Sequence, residues 1–285
     1  TASADPKAVL ETADYVIHAV PVQFSRKFLK KVKKYIPPST PVLSVSKGIE
    51  TKTCLLMCEL LEEILGSERS YAFLSGPSFA REIVEGKATA VVIASKNGML
   101  AKDLRDFMSS SSFRVFTSSD VIGLEVGGAV KNVIALAAGM SEGLGLGTNA
   151  MAALVTVGCL EMQNLSARLG GKSSTLAGLS GVGDTFGTCF GPLSRNRNLG
   201  IRIGKGEKLS DIIKSSKEVA EGVDTAYSLA KLIDSTHSKS YRTDLKFPIV
   251  LGVNAILKGD ITAKEGLTDI MSMPLRMRFE GKNME

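Results

Sequence analysis

An α/β half followed by a mostly helical half is the fold class the sequence predicts, and three observations predict it. Before about residue 117, short apolar runs alternate with helical stretches, the pattern of a parallel sheet with crossover helices. Those runs are apolar throughout instead of alternating with polar residues, so the sheet is expected to be covered on both faces. After Ser119 strand signals nearly vanish and long helical stretches take over. A boundary near residue 117 divides the chain into residues 1–117 and 118–285, and 285 residues suffice for two domains.

Taken in order, Asp5 to Thr12 reads as the end of a helix. Tyr15–Val20, YVIHAV, is a buried strand stopped by Pro21. In the basic run Ser25–Tyr35, Phe28, Leu29 and Val32 share one helical face, continued by Ile36, and Lys27, Lys30, Lys31 and Lys34 cover much of the rest. That favours the solvated face of a surface helix over a phosphate-backbone or lipid patch. Thr40–Val45 is a strand, and a helix runs from about Thr51 to Leu65, ended by Gly66. Tyr71–Leu74 is a strand, Ser75–Ser78 a turn, and Pro77 and Ser78 suit a helix start that closes near Gly86. Strand Ala88–Ala94, helix Met99–Met108 and strand Phe113–Phe116 complete this half. Beyond it lie helical stretches 120–142, 148–169, 208–214, 222–236, 248–258 and 262–270.

Composition narrows the function. A 44% hydrophobic and 22% charged chain is globular in type. No apolar run reaches the roughly 18–20 residues of a membrane span. Cys54 and Cys58 read as core thiols on a helix, and neither His18 nor His237 lies near a cysteine in sequence. Reduced cysteines, an intracellular compartment and no bound metal are expected. A net charge of +6 suits anionic small molecules.

The chain is organised around Glu125–Gly147, EVGGAVKNVIALAAGMSEGLGLG. Between Ala129 and Met140 only Lys131 and Asn132 are polar, so this helix is buried nearly all round. An ammonium taken from water is costly and its pKa tends to fall. Gly127, Gly128, Ala135 and Ala138 lie on the side of Lys131 and leave room for a ligand, a loop or another helix. Two readings stand: a structural lysine that snorkels or pairs with a buried acid, and a catalytic one.

Ligands of an open parallel sheet sit beyond the carboxyl ends of its strands. Three turns lie there: Pro21–Phe24, Ser46–Gly48 with the cation of Lys47, and Ser75–Ser78, where Gly76 and helix-start N–H groups suit an anion. The segment Leu179–Gly200 holds a lone acid, Asp184, among Gly, Val and Phe, and then Arg195, Asn196 and Arg197. An acid in apolar company can pair with a buried lysine, and arginine can grip a phosphate. A helix N-cap for Asp184 and a surface turn for the Arg-Asn-Arg cluster are the bland alternatives.

Seven motifs in order, AVPVQF, SKGIE, LSGPSFA, EVGGAVKNVIALAAG, LSGVGDTFGTCF, LSRNRNLG and EVAEGVDTA, resemble the NAD(P)-dependent glycerol-3-phosphate dehydrogenases of bacterial and plant plastid type. The resemblance covers essentially the whole chain. It implies a Rossmann-like sheet and the interconversion of sn-glycerol 3-phosphate and dihydroxyacetone phosphate, with NAD or NADP as cofactor. By it, Lys131 is the proton donor and acceptor at the substrate C2 oxygen, with Lys47 and Asp184 in the same catalytic site. Gly76, Ser78, Ser194, Arg195 and Asn196 contact the substrate. Phe24, Lys47, Ala80, Arg195, Val219 and Glu221 lie along the cofactor. It further implies a homodimer, and plastid stroma in a plant or cytoplasm otherwise. No nucleic acid and no membrane span is expected among the partners.

The chemistry of the residues agrees with these roles. A lysine exchanges protons at neutral pH when burial and a second cation lower its pKa, and Asp184 opposes that shift. One part of the family pattern is missing. No strand is followed by G-x-G-x-x-G or G-x-G-x-x-A, and Gly143–Gly147 follows a helix and reads as a cap and loop. The chain therefore reads as a family member without its N-terminal part, whose sheet is partial and whose 285 residues alone are expected to show little or no turnover. The alternative is a non-catalytic triose-phosphate binder or dimer partner.

Overall fold

Five strands form one sheet in the order β1-β2-β3-β4-β5, in a computed structural model that describes residues 2–216, 220–236 and 246–272. The strands are β1 (Val16–His18), β2 (Val42–Ser44), β3 (Tyr71–Ser75), β4 (Thr89–Ala94) and β5 (Phe113–Ser118). Among them lie α1 (Pro6–Leu10), α2 (Val22–Val32), α3 (Met57–Leu65), α4 (Ala80–Val84) and α5 (Gly98–Met108). After Ser118 every described element is helical: α6 (Val121–Gly143), α7 (Gly147–Arg168), α8 (Ser173–Leu176), a π-helical turn at Leu179–Gly183, α9 (Asp184–Phe190), α10 (Arg195–Gly204), α11 (Leu209–Ser215), α12 (Glu221–Thr236), α13 (Pro248–Lys258) and α14 (Ala263–Ser272).

The sheet departs from all-parallel. β1, β2 and β3 run parallel, in register Val16 with Val42 and Val42 with Tyr71. β4 runs antiparallel to β3, pairing Ser75 with Val92, and β5 is parallel to β4. The reason is the length of the connection. A parallel return needs a helix that carries the chain back along the sheet, and α4 has only 5 residues. The 11-residue α5 is long enough, and the strand after it is parallel. Burial on both faces holds for β2 and β3. At the two ends of the strand order, Ile17 is 51% and Phe116 43% exposed.

Several helix boundaries also move. Asp5 starts a helix instead of ending one, because its carboxylate accepts the Lys7 N–H with Pro6 at the first helical position. α3 begins at Met57, not Thr51, because Cys54 takes a left-handed conformation (φ 60°) and Glu59 caps the Leu56 N–H at 2.8 Å. Cys54 is therefore off the helix that carries Cys58, and all four cysteines are free thiols. On α2, Leu29 and Val32 are buried with Val22 and Ser25, and Phe28 stays exposed beside the His18 ring. His237 lies outside the described residues.

α6 is the centre of the helical half. Twenty of its residues are buried, and α7, α9, α10, α12 and α13 pack around it, with β3 on another side. It is long and apolar enough to cross a membrane by composition, but 94% of its most apolar stretch is buried inside the protein. Its closest neighbour is α10. A Cβ on Gly139 or Gly143 would overlap the carbonyl oxygens of Arg197 and Ile201, and one on Gly200 or Gly204 would overlap those of Leu136 and Met140. Two glycines four apart on each helix thus bring the backbones into contact. This explains why α10, which lies outside the helical stretches read from the sequence, forms as a helix against α6. A buried carboxylate ties the last helices in: Glu161 of α7 accepts the Ile249 N–H at 2.7 Å and the Val250 N–H at 3.0 Å, satisfying the N-terminus of α13.

Candidate active site

Lys131 sits in the middle of α6 and is 7% exposed. Its Nζ donates to Asp184 Oδ1 at 2.6 Å and to Thr188 Oγ1 at 3.0 Å. Asp184 and Thr188 lie one turn apart on α9, so both face α6. Lys47, in the turn after β2, donates from Nζ to Asp184 Oδ2 at 2.8 Å and to the Gly76 carbonyl at 3.0 Å. One carboxylate therefore joins two ammonium groups, one from the end of the sheet and one from the central helix.

Charge follows from this geometry. Burial first, and the Lys47 charge second, lower the Lys131 pKa to about 8 against the pull of Asp184. Burial of Asp184, 2% exposed, would raise its carboxyl. The charges and hydrogen bonds of both lysines outweigh that and hold it below its ordinary value. The site thus has a fixed anion and a lysine that exchanges its proton near neutral pH. The helix N-cap reading of Asp184 fails, because the cap is Gly183 and Asp184 is the first helical residue.

The remaining residues form two walls. At the end of β3, the Gly76 carbonyl accepts both Lys47 and the Ser78 hydroxyl, the latter at 2.9 Å. Ala80 lies exposed at the first position of α4. On the other side, Ser194 caps α10 by accepting the Arg197 N–H at 3.2 Å. Asn196 Oδ1 accepts the Gly222 N–H at 3.0 Å and holds the start of α12 against α10. Arg195 is exposed at the lip of a cavity between α10, α11 and α12. Arg197 turns away to Glu142 at 2.6 Å, so the Arg-Asn-Arg cluster is a helix start and not a surface turn.

A crevice beside Lys47 is lined by Pro21, Gln23, Phe24, Gly48, Glu221, Asp224 and Thr225. The Phe24 ring is 59% exposed there. Burial raises the Glu221 carboxyl, opposed by the charges of Arg195, Lys131 and Lys47. Phe24, Lys47 and Glu221 are thus brought together, and Val219 lies outside the described residues. Thr188 escaped the sequence reading. Its only signal was its place four residues after Asp184, one helical turn away. Among the described residues no three His, Cys, Asp or Glu side chains cluster as a metal site.

Known proteins resemble the chain in sequence and in fold. A family model described as the NAD-dependent glycerol-3-phosphate dehydrogenase N-terminus matches residues 1–101, and one described as the C-terminus matches residues 120–268. A chloroplastic NAD(+) glycerol-3-phosphate dehydrogenase of Arabidopsis thaliana is 43% identical over 96% of this chain. An NAD(P)+ glycerol-3-phosphate dehydrogenase of Solidesulfovibrio magneticus is 42% identical over 96% of this chain and 81% of its own. The chain spans 64% of the Arabidopsis relative and 61% of a chloroplastic relative from rice. The crystal structure of a glycerol-3-phosphate dehydrogenase from Coxiella burnetii matches with a TM-score of 0.89 at 33% identity, over 94% of this chain and 80% of that one.

Proposed function

The chain belongs to the NAD-dependent glycerol-3-phosphate dehydrogenase family, and from that premise we propose that its protein interconverts sn-glycerol 3-phosphate and dihydroxyacetone phosphate with NAD or NADP. The observation that carries this reading is the buried Lys131 ammonium, held by Asp184 at 2.6 Å with its pKa at about 8.

Lys131 is the proton-transfer group. Asp184 and Thr188 engage two of its three N–H directions, and the third is left for the substrate C2 oxygen. In the reducing direction the ammonium gives its proton to that oxygen as negative charge builds there. In the oxidising direction the neutral amine takes the hydroxyl proton. Lys47 adds a second positive charge close by, which stabilises the oxyanion and lowers the Lys131 pKa. Asp184 orients both lysines. Ser194, Arg195 and Asn196 at the start of α10 hold the phosphate, where side chains and free N–H groups suit an anion, and Gly76 and Ser78 bound the substrate on the sheet side.

When bound, the cofactor supplies or accepts the hydride. The residues present fit it. Phe24 offers an exposed ring beyond the C-terminal end of β1, in the crevice that also holds Lys47 and Glu221, and Ala80 and Arg195 would extend the contact. Residues 1–117 form the cofactor side and 118–285 the substrate side of a homodimer subunit. Chloroplastic and bacterial relatives support a plastid stroma location in a plant and a cytoplasmic one otherwise. The test is NADH or NADPH oxidation by the full-length protein with dihydroxyacetone phosphate. Turnover is expected, and Lys131→Met should abolish it with binding of the phosphate substrate retained. No turnover with either cofactor would overturn the reading.

A further inference from the structure

One polar group next to the two lysines has no partner among the described residues. Ser75, the last residue of β3, is 1% exposed, and its hydroxyl makes no hydrogen bond to any of them. An unpaired buried hydroxyl is costly and uncommon. It faces Gly128 of α6, where an added Cβ would lie 3.0 Å from the Ser75 oxygen and 3.5 and 3.6 Å from the Lys47 Cγ and Cδ. Ser75, Lys47 and Gly128 wall a small crevice whose far side is Glu125, one turn before Gly128 on α6. The crevice has room for about one water molecule. Glu125 is itself buried, and one carboxylate oxygen already accepts the Cys58 N–H at the start of α3 at 3.1 Å.

We propose that this crevice seats one ordered water that joins Ser75 to Glu125 beneath the Lys47 side chain, making Ser75 and Glu125 positioning residues for Lys47. The water accepts the Ser75 proton and donates to the Glu125 carboxylate, so the Ser75 hydroxyl gains a partner. The absence of a side chain at Gly128 opens the seat, and the Lys47 stem closes it. Lys47 is then supported from below along its Cγ and Cδ and held from above by Asp184 and Gly76. Without the water the stem sinks into the gap and its ammonium retreats from Lys131.

The proposal deepens the reading of Lys131 as the proton-transfer group, and one of its two tests is independent of that reading. In a crystal structure of the full chain that resolves ordered solvent, a water within hydrogen-bond distance of both Ser75 Oγ and the Glu125 carboxylate is expected. A Ser75 hydroxyl bonded instead to protein, substrate or cofactor would overturn the proposal. In the enzyme, Ser75→Ala takes the anchor from the water and empties the seat. It is expected to move the high-pH limb of dihydroxyacetone phosphate reduction upward by about half a pH unit, the effect of a retreat of about 1 Å by a neighbouring charge. Gly128→Ala fills the seat with a methyl 3.5 Å from the Lys47 Cγ, so the stem keeps its support and the limb should stay in place. An unmoved limb in Ser75→Ala, or an equal upward shift in Gly128→Ala, would count against the water as the support of Lys47. A protein with no turnover but with the water in place would sink the catalytic reading alone.

Discussion

Asp184 and Lys131 meet at 2.6 Å inside the protein, and the second oxygen of the same carboxylate holds Lys47 at 2.8 Å. The pair is therefore part of a three-charge unit with a net positive charge, shared between the sheet and the central helix.

Asp184→Asn keeps the shape and removes the charge that opposes the fall of the Lys131 pKa. We expect kcat to fall about 100-fold or more as Lys131 loses its orienting anion. The high-pH limb of the reduction should move to lower pH, because two cations then face each other without a counter-charge. Initial rates across the pH range check both. A limb that moves upward would contradict the assignment of Asp184 as the opposing charge.

The pH dependence of the wild-type protein follows from Lys131 at about 8. In its proposed role the ammonium is the acid for reduction, so that direction should weaken about tenfold per unit above that pH. The amine is the base for oxidation, so that direction should weaken about tenfold per unit below it. Matching profiles of kcat/KM in the two directions, crossing near 8, are the measurement. Parallel profiles would exclude a single lysine serving both.

Gly200→Ala tests the backbone crossing of α10 on α6. The added methyl would overlap the Leu136 carbonyl, so the helices must part. A loss of about 2–3 kcal/mol and a drop in Tm of roughly 5–10 °C are expected. KM for the phosphate substrate should rise as Arg195 and Asn196 shift. Calorimetry and steady-state kinetics read the two effects, and an unchanged Tm would mean that the crossing yields freely.

Glu161 gives a stability signal away from the site. Burial raises its carboxyl from an ordinary 4.5 to about 8, against the two N–H bonds that pull it down. The folded state thus binds an extra proton between those values. Its contribution is full below about 4.5 and is lost as pH rises through about 8. Urea midpoints should fall from about pH 5 to about pH 8, and less steeply in Glu161→Gln. That variant should also lose about 1–3 kcal/mol at neutral pH, because its amide presents a donor to a backbone N–H. An equal slope in the two proteins would assign the pH dependence elsewhere.

The order of strands and helices was legible because strands are short apolar runs and helical stretches are longer, and both patterns are local. The direction of β4 was not, since it depends on how far the 5-residue α4 can carry the chain. Lys131 stood out against an apolar helix, and Asp184 against a glycine-rich segment. Thr188 did not, because hydroxyls are common in helices and its partner is 57 positions away. Glu125 and Glu161 were invisible for a related reason: their partners are backbone N–H groups, 67 and 88 positions off, which no side-chain pattern reveals. α10 was hidden by glycines that weaken a helix in isolation and are needed where two backbones touch.

The glycine crossing turns α6 and α10 into something like the two jaws of a caliper locked at the screw. Lys131 is on one jaw, and Ser194, Arg195 and Asn196 stand at the tip of the other. No side chain intervenes between the two backbones at Gly139 and Gly200 to act as a spring. With the proposed roles, the span from the proton-transfer group to the phosphate grip is set by main-chain contact and does not adapt. Selection for chain length would then reside in that span, and a substrate one carbon longer would have to be refused or be gripped out of line with Lys131.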